Sequence, residues 1–141
     1  MHYSLKIVLL HSKRSTWNVG NYTLCIMNYT SPNGFYVCPR LVPFREGGIT
    51  LYPFVFVTHE KYLHDPYLIN HERIHLAQQR ELLVLPFYIW YLLALLINYC
   101  KYRNWYTAYR YILFEREAYN NDSNLNYLKT RKWYAYLRKR K

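Results

Sequence analysis

From Leu82 to Cys100 the chain carries no charged side chain. Nineteen such residues, at about 1.5 Å each, would just reach across a hydrocarbon core of about 30 Å. The run therefore has two solutions, a membrane span or a helix that folds back on the rest of the protein. Pro86 divides it, and Tyr88, Trp90, Tyr91, Asn98 and Tyr99 make it wetter than a typical span. What flanks the run decides between the two.

With 141 residues, 52% of them apolar, the chain has room for a single domain with a buried core, which excludes disorder as its main state. Tyrosine alone accounts for 18 residues, and rings with one wet edge suit interfaces with a membrane surface or another protein. The net charge of +11 is uneven: residues 101–141 hold 11 basic and 3 acidic side chains, against 8 and 5 in residues 1–100. A basic end can meet anionic lipid headgroups or nucleic acid. No nucleic-acid motif accompanies the charge, so nucleic acid is the less expected partner. Cys25, Cys38 and Cys100 are odd in number and lack a CxxC pair, which predicts neither a disulfide framework nor a thiolate zinc site. Ile7 to Leu10 is too short an apolar run for a signal peptide. These features together predict a cytoplasmic protein, with the inner face of the membrane as the surface its basic end could meet.

Composition shifts near residue 65. Before it the chain reads as strands and turns: Tyr22 to Met27, a Ser31-Pro32-Asn33-Gly34 turn, Phe35 to Cys38, a break at Gly47-Gly48, then Ile49 to Val57. The last run is the best strand candidate, and Pro53 within it predicts an edge strand, one side of which stays free for another extended chain. Asp65-Pro66 is a helix start, an acidic N-cap ahead of proline at the first helical position, and the helix is expected to run to about Leu85. A second helix is expected from Phe87 to Cys100, and a third from about Asn104 to Asn120. Leu125 to Lys141 mixes aromatic and basic side chains as a short amphipathic helix or a tail. The predicted fold is α+β, one minimal domain over 1–141. It comprises a small antiparallel sheet within 1–64, a helical part over 65–124 and a basic aromatic end over 125–141.

The chemistry lies in His71-Glu72-Arg73-Ile74-His75, an HExxH. Helical residues four apart differ by only about 40° of rotation and one turn, so both imidazoles can reach one zinc ion while Glu72 lies beside the water that such an ion activates. His59 and His64, in an HExxxH, diverge by about 140° on a helix and should not share a metal. Zinc needs a third protein ligand, and after His75 the acids are Glu81, Glu115, Glu117 and Asp122. Glu81, six residues on, faces elsewhere. Glu115 shares a helical face with Ala108, Tyr111, Ile112, Ala118 and Tyr119, whereas Glu117 shares one with Arg110, Leu113 and Phe114. Small residues permit close packing, so Glu115 is preferred and Glu117 stays the alternative. Without a metal, the same acids would be surface groups pairing with Arg110 and Arg116.

HERIH, an apolar and aromatic spacer of about forty residues, and Phe114-Glu115-Arg116-Glu117-Ala118 together resemble the catalytic core of membrane-associated gluzincin peptidases. The resemblance, to the beta-lactam sensor-transducer peptidases and the CAAX-prenyl endoproteases, covers residues 66–122. It implies His71, His75 and Glu115 as zinc ligands and Glu72 as general base. The families usually carry an uncharged residue at Arg73. They also place an acid at the position of Tyr119, supporting a ligand histidine; here Asp122, one turn on, is the available substitute. Tyr119, Tyr111 and Arg110 are candidates for stabilising an oxyanion.

The zinc assignment also answers the topological question, because a straight span over 82–100 would leave the histidines and Glu115 on opposite sides of a bilayer. A bend at Pro86 and a helical hairpin are predicted instead, with Tyr99, Lys101, Tyr102, Arg103 and Trp105 at a tip suited to an interface. The expected function is zinc-dependent peptide-bond hydrolysis on a peptide or protein substrate, with an anionic membrane surface as a further partner. The alternative is a metal-free membrane-surface or helix-packing protein.

Overall fold

The computed structural model describes residues 34–42 and 47–138, so the expected strand Tyr22 to Met27 lies outside the described residues. The fold is α+β. Strands β1 (Phe35–Val37), β2 (Gly48–Leu51) and β3 (Phe54–Val57) are followed by a 3-10 turn (Glu60–His64) and helices α1 (Pro66–Leu82), α2 (Val84–Tyr102), α3 (Trp105–Arg110), α4 (Leu113–Asn121) and α5 (Tyr127–Thr130).

The run Ile49 to Val57 is not one edge strand but a hairpin. It reverses at Tyr52-Pro53, where the missing proline N–H costs the ladder nothing, and β2 pairs antiparallel with β3. The second arm of this hairpin inserts between β2 and β1, giving the order β1-β3-β2 and a parallel β1–β3 pair. The sheet is therefore mixed rather than wholly antiparallel. Alternation along β3 sends Val55 and Val57 to one face, into a core with Phe35 and Leu63 that takes in Leu68, Ile69 and Leu76 of α1. Phe56 goes to the other face, with Cys38 and Val42. Cys38 is disulfide-bonded, a pairing the odd cysteine count did not suggest.

Asp65 caps α1 as expected, its carboxylate accepting from the backbone N–H groups of Tyr67 (2.9 Å) and Leu68 (3.2 Å). The bend between α1 and α2 falls at Leu83, in the positive-φ region at φ 59°, and not at Pro86. Pro86 is the third residue of α2, inside the first turn, whose N–H groups have no helical partner in any case. The expected third helix is two. Asn104 caps α3 by accepting from Thr107 N–H (2.9 Å), and the chain breaks at Tyr111-Ile112 before α4. The hairpin itself forms: Asn98 of α2 donates to Ala108 O of α3 (3.0 Å), and Phe87 meets Phe114 of α4 at 4.6 Å between ring centres.

The C-terminal stretch, as far as Arg138, is built onto this core. Tyr136 is buried against Phe114, and the Arg131 guanidinium sits between two carboxylates, with Nε donating to Glu117 Oε1 (2.6 Å) and Nη2 to Glu81 Oε2 (3.0 Å). A single amide ties α1 to the far end of α4: Asn70 Nδ2 donates to the carbonyls of Asn121 (3.1 Å), the last helical residue, and of Asp122 (2.8 Å) and Asn124 (3.0 Å) beyond it. Asn70→Ala orphans these acceptors and should cost about 1–3 kcal/mol in urea unfolding. An unchanged midpoint would show that water serves them equally well.

Candidate metal centre

Helix α1 buries an unusual stripe, Asn70, His71, Glu72, His75, Gln78 and Gln79, where a helix against a sheet ordinarily buries apolar side chains. Polar groups in such a place need partners, and each partner here positions something. Gln79 grips β2, accepting from Tyr52 N–H (3.0 Å) and donating to Thr50 O (3.0 Å). Gln78 donates to Phe114 O (3.1 Å) and to Glu117 Oε2 (3.0 Å), which fixes its amide orientation and leaves its oxygen toward His75 Nδ1 at 2.8 Å. That oxygen only accepts, so His75 carries a proton on Nδ1, and in the neutral ring Nε2 presents its lone pair.

Both Nε2 atoms and the Glu115 carboxylate converge. His71 Nε2 and His75 Nε2 are 3.1 Å apart; Glu115 Oε2 lies 3.4 Å from the first and Oε1 3.3 Å from the second. Ligand atoms about 2.0–2.1 Å from a tetrahedral zinc ion are spaced by roughly 3.3 Å. Glu115 Oε1 also accepts from Tyr91 OH (2.7 Å), whereas Oε2 is buried and has no hydrogen-bond partner among the described residues. A carboxylate that faces two imidazole nitrogens and has one oxygen without a hydrogen-bond partner fits a cation held by His71, His75 and Glu115.

The electrostatics agree with that fit. Burial alone would lower the His75 pKa, but the charge and hydrogen bond of Glu115, aided by Glu72, outweigh it and lift the imidazole to about 9. Burial would likewise raise Glu115, yet His75 and His71 together hold it well below the usual carboxylate range. The ionised carboxylate thus demands a positive neighbour, a role that a proton on His75 or a metal ion can fill.

Glu72 lies next to this cluster on the side of β2. Its Oε2 accepts from Thr50 Oγ1, which also reaches Glu72 O at 3.3 Å. A Cβ on Gly48 would come within 2.9 Å of Glu72 Oε1, so the absence of a side chain there is what gives the carboxylate its space. Gly47, Gly48, His71, Glu72, Tyr109 and Tyr119 line a cleft of about 210 Å³. The outer edge of β2 is taken by Gln79 at Thr50 and Tyr52, so the edge expected to be free along its length opens onto the cleft only at its Gly47-Gly48 end.

The other sequence candidates separate clearly. Asp122 Oδ2 is 3.9 Å from His71 Nδ1, and the Tyr119 ring meets the His71 ring edge at 4.5 Å between centres. Arg110 stacks on Tyr119 at 3.6 Å, and Tyr111, turned out by the α3–α4 break, is exposed and away from the cleft. Glu117 is buried, bonded to Arg131, Tyr127 OH (2.9 Å) and Gln78. Neither Glu115 nor Glu117 is a solvated acid pairing with Arg110 and Arg116; both are buried. Arg73 is exposed, pointing out of the motif, and His59 and His64 are both exposed.

Gln78, Gln79, Thr50, Tyr91 and Tyr109 were missed. Gln78 had a usable signal, three residues after His75 on the same face. Tyr91 had none among 18 tyrosines. No protein-family model, curated protein or solved structure matches the chain.

Proposed function

We propose that the protein is a zinc-dependent metallopeptidase-like hydrolase in which His71, His75 and Glu115 hold the ion and Glu72 is the general base. The observation that carries this reading is the convergence of three buried donors from α1 and α4 with one carboxylate oxygen left unpartnered. A zinc ion held by these three residues would supply a Lewis acid for a scissile carbonyl and for the attacking water. Glu72, whose carboxylate Thr50 holds in place, would take a proton from an attacking water and return it to the leaving amine. Gln78 fixes the tautomer of His75, and Asp122 faces Nδ1 of His71 in the role that the gluzincin resemblance gives to an acid at position 119. The hydroxyl of Tyr119, paired with that of Tyr109 at 3.3 Å beside the cleft, is the candidate donor to an oxyanion. An extended peptide would enter along Gly47-Gly48.

Metal analysis tests the reading. Protein purified with zinc and passed through a desalting column should retain about one zinc per chain. A chain that retains none after zinc supplementation is the metal-free helix-packing protein instead.

A further inference from the structure

Helix α2 is amphipathic in the wrong sense for water. Phe87, Tyr88, Tyr91, Ala94 and Leu95 pack into the core with Ile112 and Phe114. The opposite face carries Leu85, Ile89, Leu92, Leu93, Leu96 and Ile97, all exposed, Leu85 by 70% and Ile97 by 67%. At 100° per residue these six fall within an arc of about 140°, centred opposite the packed face. A surface helix should present polar side chains there; this one presents its most apolar ones. A groove of about 720 Å³ continues the face toward Tyr111 and Leu113. Among the described residues α2 is the one helix long and apolar enough to cross a membrane. Its other face is occupied, however, and His71 and Glu115, before and after it in the chain, meet on one side.

We infer that the outer face of α2 rests in the surface of an anionic lipid bilayer, with the helix lying in the plane of the membrane. The charges on the hairpin select this occupant. Residues 83–112 contain Lys101, Arg103 and Arg110 and no Asp or Glu, and Lys101 and Arg103, at the exposed end of α2, put positive charge at the tip that continues the apolar face. A second copy of the hairpin brings no acid to these cations, and the chain as a whole is +11. Anionic headgroups supply the missing sign, while acyl chains cover the leucines. Trp90 and Trp105, each partly exposed, flank the face where amphipathic rings settle at headgroup depth. Tyr99 stacks on Trp105 at 4.0 Å and braces the tip. The inference is independent of whether the site holds a metal.

Flotation of the full chain with vesicles tests it, comparing phosphatidylcholine alone with phosphatidylcholine containing about one-third phosphatidylglycerol. The protein should float with the anionic vesicles. The double variant Leu92→Glu, Leu96→Glu should bind at least tenfold more weakly, because it puts two charges where acyl chains would lie. Both positions are exposed, so the fold is not at risk; Leu125→Glu, also exposed but outside the hairpin, should bind like the unaltered chain. Equal flotation of the double variant overturns the inference. So does an unaltered chain that stays off both vesicle types but sediments as a dimer disrupted by the double substitution, which would assign the face to a second copy.

Discussion

Glu115→Ala is expected to lower zinc affinity at least tenfold, while Glu117→Ala leaves it within about twofold. The two acids sit on one short helix, both buried, and differ in what they face. Glu115 touches both imidazoles and has an oxygen without a hydrogen-bond partner, whereas both oxygens of Glu117 are engaged by Arg131, Gln78 and Tyr127. Removing Glu117 leaves the Arg131 guanidinium short of one carboxylate in a buried setting, with a cost of roughly 3–5 kcal/mol for a fully buried pair. The Glu117 variant should therefore unfold at lower urea yet bind zinc normally once folded, whereas the Glu115 variant, which also orphans the Tyr91 hydroxyl, should lose zinc even where it is fully folded. Competition with a chromophoric chelator reads the affinity, and urea denaturation of the metal-free proteins reads the stability. A Glu117 variant that stays folded but loses zinc while Glu115→Ala keeps it would sink the assigned ligand set.

The second large effect is catalytic. Glu72→Gln should retain zinc and lose peptide hydrolysis by about 10²–10⁴, the usual worth of a general base. Glutamine keeps the size of the side chain and can still accept from Thr50, so the packing between α1 and β2 survives and the loss is specific to proton transfer. Internally quenched peptides follow the rate, and metal content is measured on the same preparation. If metal leaves with the substitution, Glu72 is a ligand; if hydrolysis continues unchanged, some other group takes the proton.

Much of this arrangement could be read from residues close together in the chain. Asp65-Pro66 announces the start of α1, and the four-residue spacing of His71 and His75 places both imidazoles on one side of it. The demand for a third ligand turns the charge-free run into a hairpin, and Ala118 on the Glu115 face of α4, fully buried, marks the side of that helix that comes close to its neighbours, although the break at Tyr111-Ile112 puts Ala108 on a separate helix. These are short-range rules, in which helix rotation per residue and side-chain size are enough.

Choices among distant partners were not legible in this way. The insertion of β3 between β1 and β2 depends on a pairing that no local alternation encodes, so a hairpin with proline in its turn read as one strand. Arg131 meets Glu81 across 50 positions and Glu117 across 14, and a basic residue near a chain end looks the same whether it is solvated or buried between two carboxylates. Tyr91 is selected to hold Glu115, among 18 tyrosines, only because α2 lies where the bend at Leu83 sends it. Periodicity sets which side of an element is which. Packing sets which elements meet, and only that meeting turns a buried polar stripe into a set of converging donors.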